Sequence, residues 1–171
     1  MSATDELLKN NETYAGSFKG DLPMAPVKKV AVVACMDARL HVSKILGLKE
    51  GDAHVIRNAG GVVSQDTIRS LTISQRLLGT EEIVLIHHTD CGMLTFKDDE
   101  LRASIEDEIG IRPGFAFDAF SNLEKDVRSS VGRIKSSPFI PKKDKIRGFV
   151  FDVKSGRLNE VALETAGARA R

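Results

Sequence analysis

Apolar runs alternate with amphipathic stretches along most of this chain, and that alternation predicts an α/β fold. Several apolar runs have few or no polar positions in their interiors, as expected of parallel strands buried on both faces. The predicted strands are residues 28–35, 53–57, 82–87 and 146–153. Apolar residues spaced three and four apart predict helices between them, at residues 41–48, 66–78, 96–109 and about 120–134. Strands and helices in this order form a mostly parallel central β-sheet with flanking helices.

The two ends of the chain depart from this alternation. Residues 5–18 form a predicted helix with Thr4 as its N-cap, followed by a linker that contains Gly20 and Pro23. We interpret residues 1–27 as an N-terminal helical arm that packs either on its own domain, residues 28–163, or on a second subunit. At the other end, Lys154-Ser155-Gly156 predicts a turn that joins the last parallel strand to residues 158–163 in an antiparallel hairpin. The small and polar residues 164–171 are expected to form a flexible tail.

Charge and composition narrow the range of partners. The 171 residues include 25 Lys and Arg against 24 Asp and Glu, a net charge of +1. This balance gives no electrostatic reason to expect nucleic acid or an anionic membrane as a partner. No apolar run is long enough to span a bilayer, and the first residues lack the pattern of a signal peptide. We therefore expect a cytoplasmic protein, in which two cysteines more often bind metal or do chemistry than form a disulfide.

Both cysteines follow strands of the predicted parallel sheet, at the edge where such sheets carry their sites. Cys35 and Asp37 lie two positions apart on an extended segment, and His88 and Cys91 lie three positions apart after the third strand. Two thiolates and one imidazole suit zinc better than magnesium or calcium, and they leave a fourth position for water or for Asp37. Arg39 either forms a bidentate pair with the Asp37 carboxylate or is a solvated residue at the start of a helix. The simpler alternatives for the cysteines are small buried apolar residues or, less in keeping with a reducing compartment, a disulfide.

These residues resemble the signatures of the β-class carbonic anhydrases. The family motifs C-x-D-x-R and H-x-x-C correspond to residues 35–39 and 88–91, and residues 57–61 resemble the R-N-A-G segment between them. The match holds in order and spacing from about residue 30 to residue 96. The compact chain is most similar to a short bacterial subgroup known from mycobacteria and other actinobacteria.

The resemblance implies an enzyme that reversibly hydrates carbon dioxide to bicarbonate and a proton. It assigns one zinc ion per subunit to Cys35, His88 and Cys91. The fourth position holds water or hydroxide in the active form and Asp37 in a resting form. Arg39 would act as a switch that pulls Asp37 off the metal, so that Asp37 and Arg39 are the implied catalytic residues. Family members are dimers or larger, with the N-terminal helix on the partner subunit, which favours that placement for residues 1–27.

Two other functions are compatible with the same motifs. Relatives of the family hydrolyse carbonyl sulfide or carbon disulfide, which are linear molecules of the same kind as carbon dioxide. A zinc-binding domain without turnover is the other alternative, although such a site has no need of the pair formed by Asp37 and Arg39.

The ligand set also predicts a pH dependence. Two thiolates donate more charge to a metal than two imidazoles would, which leaves a bound water less acidic. We therefore expect activity to rise from neutral to mildly alkaline pH. A rate that is flat or falling above neutrality in a stopped-flow assay would contradict this expectation.

Overall fold

A five-stranded sheet in the order β2-β1-β3-β4-β5 forms the centre of the protein. The computed structural model describes residues 2–163, so the predicted tail at 164–171 lies outside the described residues. The strands are β1 (Val30–Cys35), β2 (Ala53–Asn58), β3 (Glu82–His88), β4 (Ile146–Phe151) and β5 (Leu158–Glu160). The first four strands are parallel to one another, and β5 pairs antiparallel with β4. The predicted fold class and the C-terminal hairpin are confirmed.

Five helices accompany the sheet in the part of the chain that the structure describes. They are α1 (Ala3–Ala15), α2 (Val42–Leu46), α3 (Gln65–Arg76), α4 (Asp98–Ile109) and α5 (Leu123–Ser136). Two short 3₁₀ turns, Ala59–Gly61 and Gly92–Leu94, follow β2 and β3. Alternate residues of β1 and β3 enter two separate apolar clusters, one of which packs against α3 and α5. The other cluster contains both cysteines and lies on the side of α2 and the 3₁₀ turns.

Local backbone chemistry explains where elements begin differently from the sequence prediction. β1 begins at Val30 rather than at residue 28, because Lys29 adopts a left-handed conformation (φ 54°) that no strand accommodates. The N-cap of α1 is Ser2 rather than Thr4. Its hydroxyl accepts a hydrogen bond from the Asp5 amide, and the Asp5 carboxylate accepts one from the Ser2 amide. α4 begins at Asp98 rather than at residue 96, since the 3₁₀ turn at Gly92–Leu94 comes first.

The N-terminal helix buries none of its own residues. Leu7 and Leu8 are 65% and 60% exposed, and Phe18 beyond the helix is 48% exposed. A hydrogen bond from the Tyr14 hydroxyl to the Glu50 carboxylate joins α1 to the rest of the chain. The apolar stripe predicted for this helix therefore does not pack on its own domain. Within the part of the chain that the structure describes, no helix is both long and apolar enough to cross a membrane.

Close contact between β4 and α5 gives a first prediction. A Cβ atom on Gly148 would lie 2.2 Å from Cγ1 of Val127, a fully buried side chain. We expect Gly148→Ala to lower the free energy of unfolding by about 1–3 kcal/mol, the usual cost of overpacking a core. Denaturant unfolding would measure this loss. Because Val127→Ala removes the clashing methyl group, the double variant should lose less than the two single losses added together, and simple additivity would contradict the assignment.

Candidate metal centre

The ends of two neighbouring parallel strands bring three metal-binding side chains together. β1 and β3 pair in register, with Ala34 opposite Ile86, so Cys35 and His88 both lie at the carboxyl edge of the sheet. Cys91 follows β3 and begins the 3₁₀ turn at Gly92–Leu94. The donor atoms of Cys35, His88 and Cys91 lie within 4.8 Å of one another, and all three residues are buried. The structure therefore assembles the predicted thiolate and imidazole donors in one cluster.

The imidazole of His88 is oriented in the way that metal-binding histidines are. Its Nδ1 lies 2.9 Å from the Thr89 carbonyl oxygen, a contact that requires Nδ1 to carry the proton. The other nitrogen, Nε2, is then an acceptor, and it is buried without a hydrogen-bond partner among the described residues. A buried acceptor of this kind is costly unless something binds it. A metal ion that also contacts Cys35 and Cys91 would satisfy it, so this donor set fits zinc.

Hydrogen bonds shift the thiol pKa values of the two cysteines in opposite directions. The hydrogen bond from the Cys91 thiol lowers the pKa of Cys35 far below its ordinary value, against the opposing effect of burial. The backbone amides of Asp37 and Gly60 also donate to the Cys35 sulfur and lower the pKa of Cys35 further. The same contact with Cys35, together with burial, raises the pKa of Cys91. A thiolate, which is the form that binds metal, is therefore already favoured at Cys35.

A glycine turn after β2 closes around the cluster. Gly61 has φ 70°, in the left-handed region, and a Cβ atom there would lie 2.8 Å from the Cys35 amide nitrogen. The same atom would lie 3.0 Å from the Ile86 carbonyl oxygen. Only glycine avoids both the strain and the collisions, so this position allows the turn to pack directly on the backbones of β1 and β3.

The Asp37 carboxylate and the Arg39 guanidinium form the bidentate pair that was one of the two predicted arrangements. Arg39 Nε donates to Asp37 Oδ1 at 2.9 Å, and Nη2 donates to Oδ2 at 2.8 Å. The Arg39 backbone amide donates to the same Oδ1 at 2.8 Å. These bonds hold the pKa of Asp37 well below its usual range. The Oδ2 atom is nevertheless only 3.7 Å from His88 Nε2, so the carboxylate lies at the border of the donor cluster.

Two further charged residues support the site, and sequence reasoning gave neither of them a role. Arg57 donates from Nε and Nη2 to the Cys35 carbonyl at 3.0 and 2.9 Å, and from Nη2 to the Asp37 carbonyl at 2.7 Å. It thereby fixes the backbone that carries two of the predicted site residues. Asp90 accepts a hydrogen bond from Arg39 Nη1 at 2.7 Å. Arg57 ends the strand predicted at residues 53–57, which was the available signal, whereas the contact of Asp90 with Arg39 depends on tertiary geometry.

Comparison with known proteins identifies the class to which this site belongs. A family model described as carbonic anhydrase matches residues 30–111. The beta-carbonic anhydrase 1 of Mycobacterium tuberculosis (strain ATCC 25618 / H37Rv) is 60% identical over 161 residues, which cover 94% of this chain and 99% of that protein. The crystal structure of carbonic anhydrase from Streptococcus mutans superposes with a TM-score of 0.89 at 44% identity, covering 95% of this chain and 99% of the other. The carbon disulfide hydrolase of Saccharolobus solfataricus is more distant, at 33% identity over 91% of this chain and 87% of its own length.

The chain belongs to the β-class carbonic anhydrase family, as its motifs predicted. Its similarity is greatest to the mycobacterial type among these three relatives. It is a zinc-dependent carbonic anhydrase, and it has a cysteine–histidine–cysteine cluster suited to one metal ion.

Proposed function

We propose that this protein reversibly hydrates carbon dioxide to bicarbonate and a proton at a zinc site held by Cys35, His88 and Cys91. The observation that carries the proposal is the buried cluster of three donors, in which His88 Nε2 has no other described partner. When bound there, zinc supplies a water whose pKa falls from about 16 to near neutrality, so that hydroxide is available to attack carbon dioxide. Apolar side chains pack around the donors, including Leu40 and Val62, which suits a small nonpolar substrate.

Asp37 and Arg39 are the proposed catalytic residues. Because Arg39 holds the Asp37 carboxylate ionised at the border of the cluster, Asp37 can accept a hydrogen bond from the water that adds to carbon dioxide. That hydrogen bond would orient the oxygen lone pair toward the substrate carbon. If the contact with Arg39 is broken, the same carboxylate is near enough to become a fourth metal ligand and close the site.

Stopped-flow measurement of carbon dioxide hydration tests this function. The protein should first be shown to contain one zinc ion per chain, and the assay should then run from neutral to mildly alkaline pH. We expect rapid turnover that rises with pH. Absence of turnover at every pH in zinc-loaded protein would contradict the proposal.

The substrate proposal favours carbon dioxide over its sulfur analogues. The mycobacterial relative shares 60% of its residues with this chain, against 33% for the carbon disulfide hydrolase. Parallel assays with carbonyl sulfide and carbon disulfide separate the two activities, because each sulfur substrate releases hydrogen sulfide. Faster hydrolysis of either sulfur substrate than of carbon dioxide would reverse the assignment.

We further infer that residues 1–27 form an arm that packs on a second copy of the chain, while residues 28–163 form the catalytic domain. An isolated domain rarely leaves a row of large apolar side chains uncovered, as α1 does with Leu7 and Leu8. An open groove of about 1090 Å³ beside α3 exposes Ile73, Phe115 and Phe139, and it offers an apolar surface for such an arm.

We also propose a cytoplasmic location for this protein. Two free cysteines suited to metal binding support it, because such cysteines are typical of a reducing compartment.

Polar substitution in the arm tests the self-association. We expect the protein to be a homodimer or larger, and the double substitution Leu7→Ser and Leu8→Ser to shift it toward monomer, because the apolar contact is lost. Sedimentation velocity would report the mass. Lys9→Ser, on the same exposed helix, is the control and should leave the assembly unchanged. A monomeric wild-type protein, or a doubly substituted protein that stays dimeric, would count against the arm.

A further inference from the structure

Asp90, which lies between the donors His88 and Cys91, contacts Arg39 of the Asp37–Arg39 pair. Asp90 Oδ2 accepts a hydrogen bond from Arg39 Nη1 at 2.7 Å, and the Asp90 carbonyl accepts one from Arg39 Nη2 at 2.9 Å. We propose that Asp90 is a positioning residue, which holds Arg39 against Asp37 and so keeps the Asp37 carboxylate away from the metal position. This inference rests on the proposed function, because it concerns the control of that same site.

The two carboxylates do not compete for the same guanidinium hydrogens. Asp37 engages Nε and Nη2 of Arg39, while the Asp90 side chain engages Nη1. A guanidinium has five N–H donors in one rigid plane, so both acids can be bound at once. The Arg39 side chain is 46% exposed, and packing alone does not hold it. Contacts at both ends of the fork therefore fix its orientation.

The backbone conformation of Asp90 allows it to contact Arg39 twice. Its φ of 57° lies in the left-handed region, which aspartate and asparagine tolerate better than other residues with a side chain. In this conformation both the side chain and the main-chain carbonyl reach Arg39. Asparagine is therefore the conservative replacement, since it keeps the backbone preference and a side-chain oxygen while it removes the charge.

The contact between Asp90 and Arg39 affects the site because Asp37 lies close to the metal donors. Its Oδ2 atom is 3.7 Å from His88 Nε2, so a small movement would bring it into the donor cluster. Arg39 opposes that movement only while its fork faces Asp37. Loss of the Asp90 contact should loosen Arg39 and shift the population toward the form in which Asp37 occupies the metal's fourth position.

Azide binding to the cobalt-substituted full-length protein tests the proposal without measuring catalysis. Cobalt(II) absorbs in the visible region, and its spectrum changes when azide takes an open coordination position. We expect Asp90→Ala to weaken azide binding about fivefold or more, as for loss of a charged hydrogen bond, because Asp37 then competes for that position. Asp90→Asn should give a smaller loss. Removal of a negative charge by itself would strengthen the binding of an anion, so the sign of the change separates positioning from simple electrostatics.

Two comparisons make the result decisive. Asp66→Asn removes a carboxylate from an exposed Asp–Arg pair with Arg69 at 2.8 Å, and it should leave azide affinity unchanged. In an Asp37→Ala background, Asp90→Ala should no longer weaken azide binding, since no Asp37 carboxylate remains to compete. Unchanged or tighter azide binding in Asp90→Ala would overturn the proposal, and so would an equal loss in the Asp37→Ala background. If Asp90→Ala does not fold, the sign of the change in Asp90→Asn decides.

This test can fail separately from the proposed function. A zinc-loaded wild-type protein that does not hydrate carbon dioxide would refute the activity, whereas the azide titration depends only on the open coordination position. Conversely, full carbon dioxide hydration with no effect of Asp90 on azide binding would refute only the role of Asp90.

Discussion

Replacing Cys91 with serine is expected to remove the zinc ion and to abolish carbon dioxide hydration while the sheet stays folded. Cys91 supplies one of the three clustered donors, and a serine hydroxyl is a poor zinc ligand at neutral pH. Because the reaction needs hydroxide generated by the metal, we expect the rate to fall by more than about a thousandfold. Elemental analysis would measure the zinc content, and stopped-flow hydration would measure the rate.

The same variant should lose the stabilisation that a bound metal gives. An ion present at a thousand times its dissociation constant stabilises the folded state by about 4 kcal/mol. A chelator should therefore lower the Tm of the wild-type protein and leave that of Cys91→Ser unchanged. Met93→Leu, a volume-conserving change at the buried position of the 3₁₀ turn that follows Cys91, is the matched control and should keep both zinc and activity. Full zinc and full activity in Cys91→Ser would remove Cys91 from the site.

The second large effect is expected at Asp37, where alanine should abolish turnover but leave zinc bound. Cys35, His88 and Cys91 remain as donors, whereas the group that orients the attacking water is gone. Loss of a positioned acid or base costs about a hundredfold to ten-thousandfold in rate. The measurement is kcat for carbon dioxide hydration at matched zinc content.

A control carboxylate separates this role from a general effect of charge. Asp66→Ala removes an exposed acid that also pairs with an arginine, and it should change kcat little. Activity that survives in Asp37→Ala would show that the proposed mechanism is wrong. Loss of zinc from Asp37→Ala would instead make Asp37 a permanent ligand of the metal.

The centre of the sheet could be predicted from the chain because β1 and β3 are buried on both faces. β1 is an apolar run and β3 contains another at residues 83–86, and no amphipathic alternative competes with them. The helices were harder to interpret. Ile73 of α3 and Leu77, the residue that caps its C-terminus, are among the apolar positions of the helix predicted at residues 66–78, yet they are 38% and 77% exposed. Apolar spacing cannot distinguish the protein's own core from a surface that a second molecule covers.

The buried face of α3 shows the complementary difficulty. It contains the polar residues Thr67, Ser74 and Gln75, whose side chains are satisfied by hydrogen bonds, some of them with distant parts of the chain. Gln75, for example, exchanges two hydrogen bonds of 2.9 Å with the backbone of Lys142. Partners 67 residues away are invisible to a local pattern, so a polar residue at a core position looks like a surface residue.

Local spacing likewise indicated some residues of the candidate site but not others. Short spacings along the chain indicated Cys35, Asp37, Arg39, His88 and Cys91, and these residues do lie together. The contacts of Arg57 and Asp90 join segments 20 to 51 positions apart, and only the assembled sheet brings them into reach. Motifs therefore indicated the clustered side chains, whereas the residues that contact them could be found only in the structure.

Because metal donors lie on both β1 and β3, metal binding favours the native register of these two strands. Cys35 and His88 stand 53 positions apart (88 − 35), so one ion can bind both only after these strands have joined in the native alignment. Side chains alternate between the faces of a sheet, and a slip of β1 by one residue would turn Cys35 to the opposite face. A slipped chain would keep only two of the three donors and bind the ion weakly. Zinc in the folding medium should therefore enrich correctly aligned molecules by mass action.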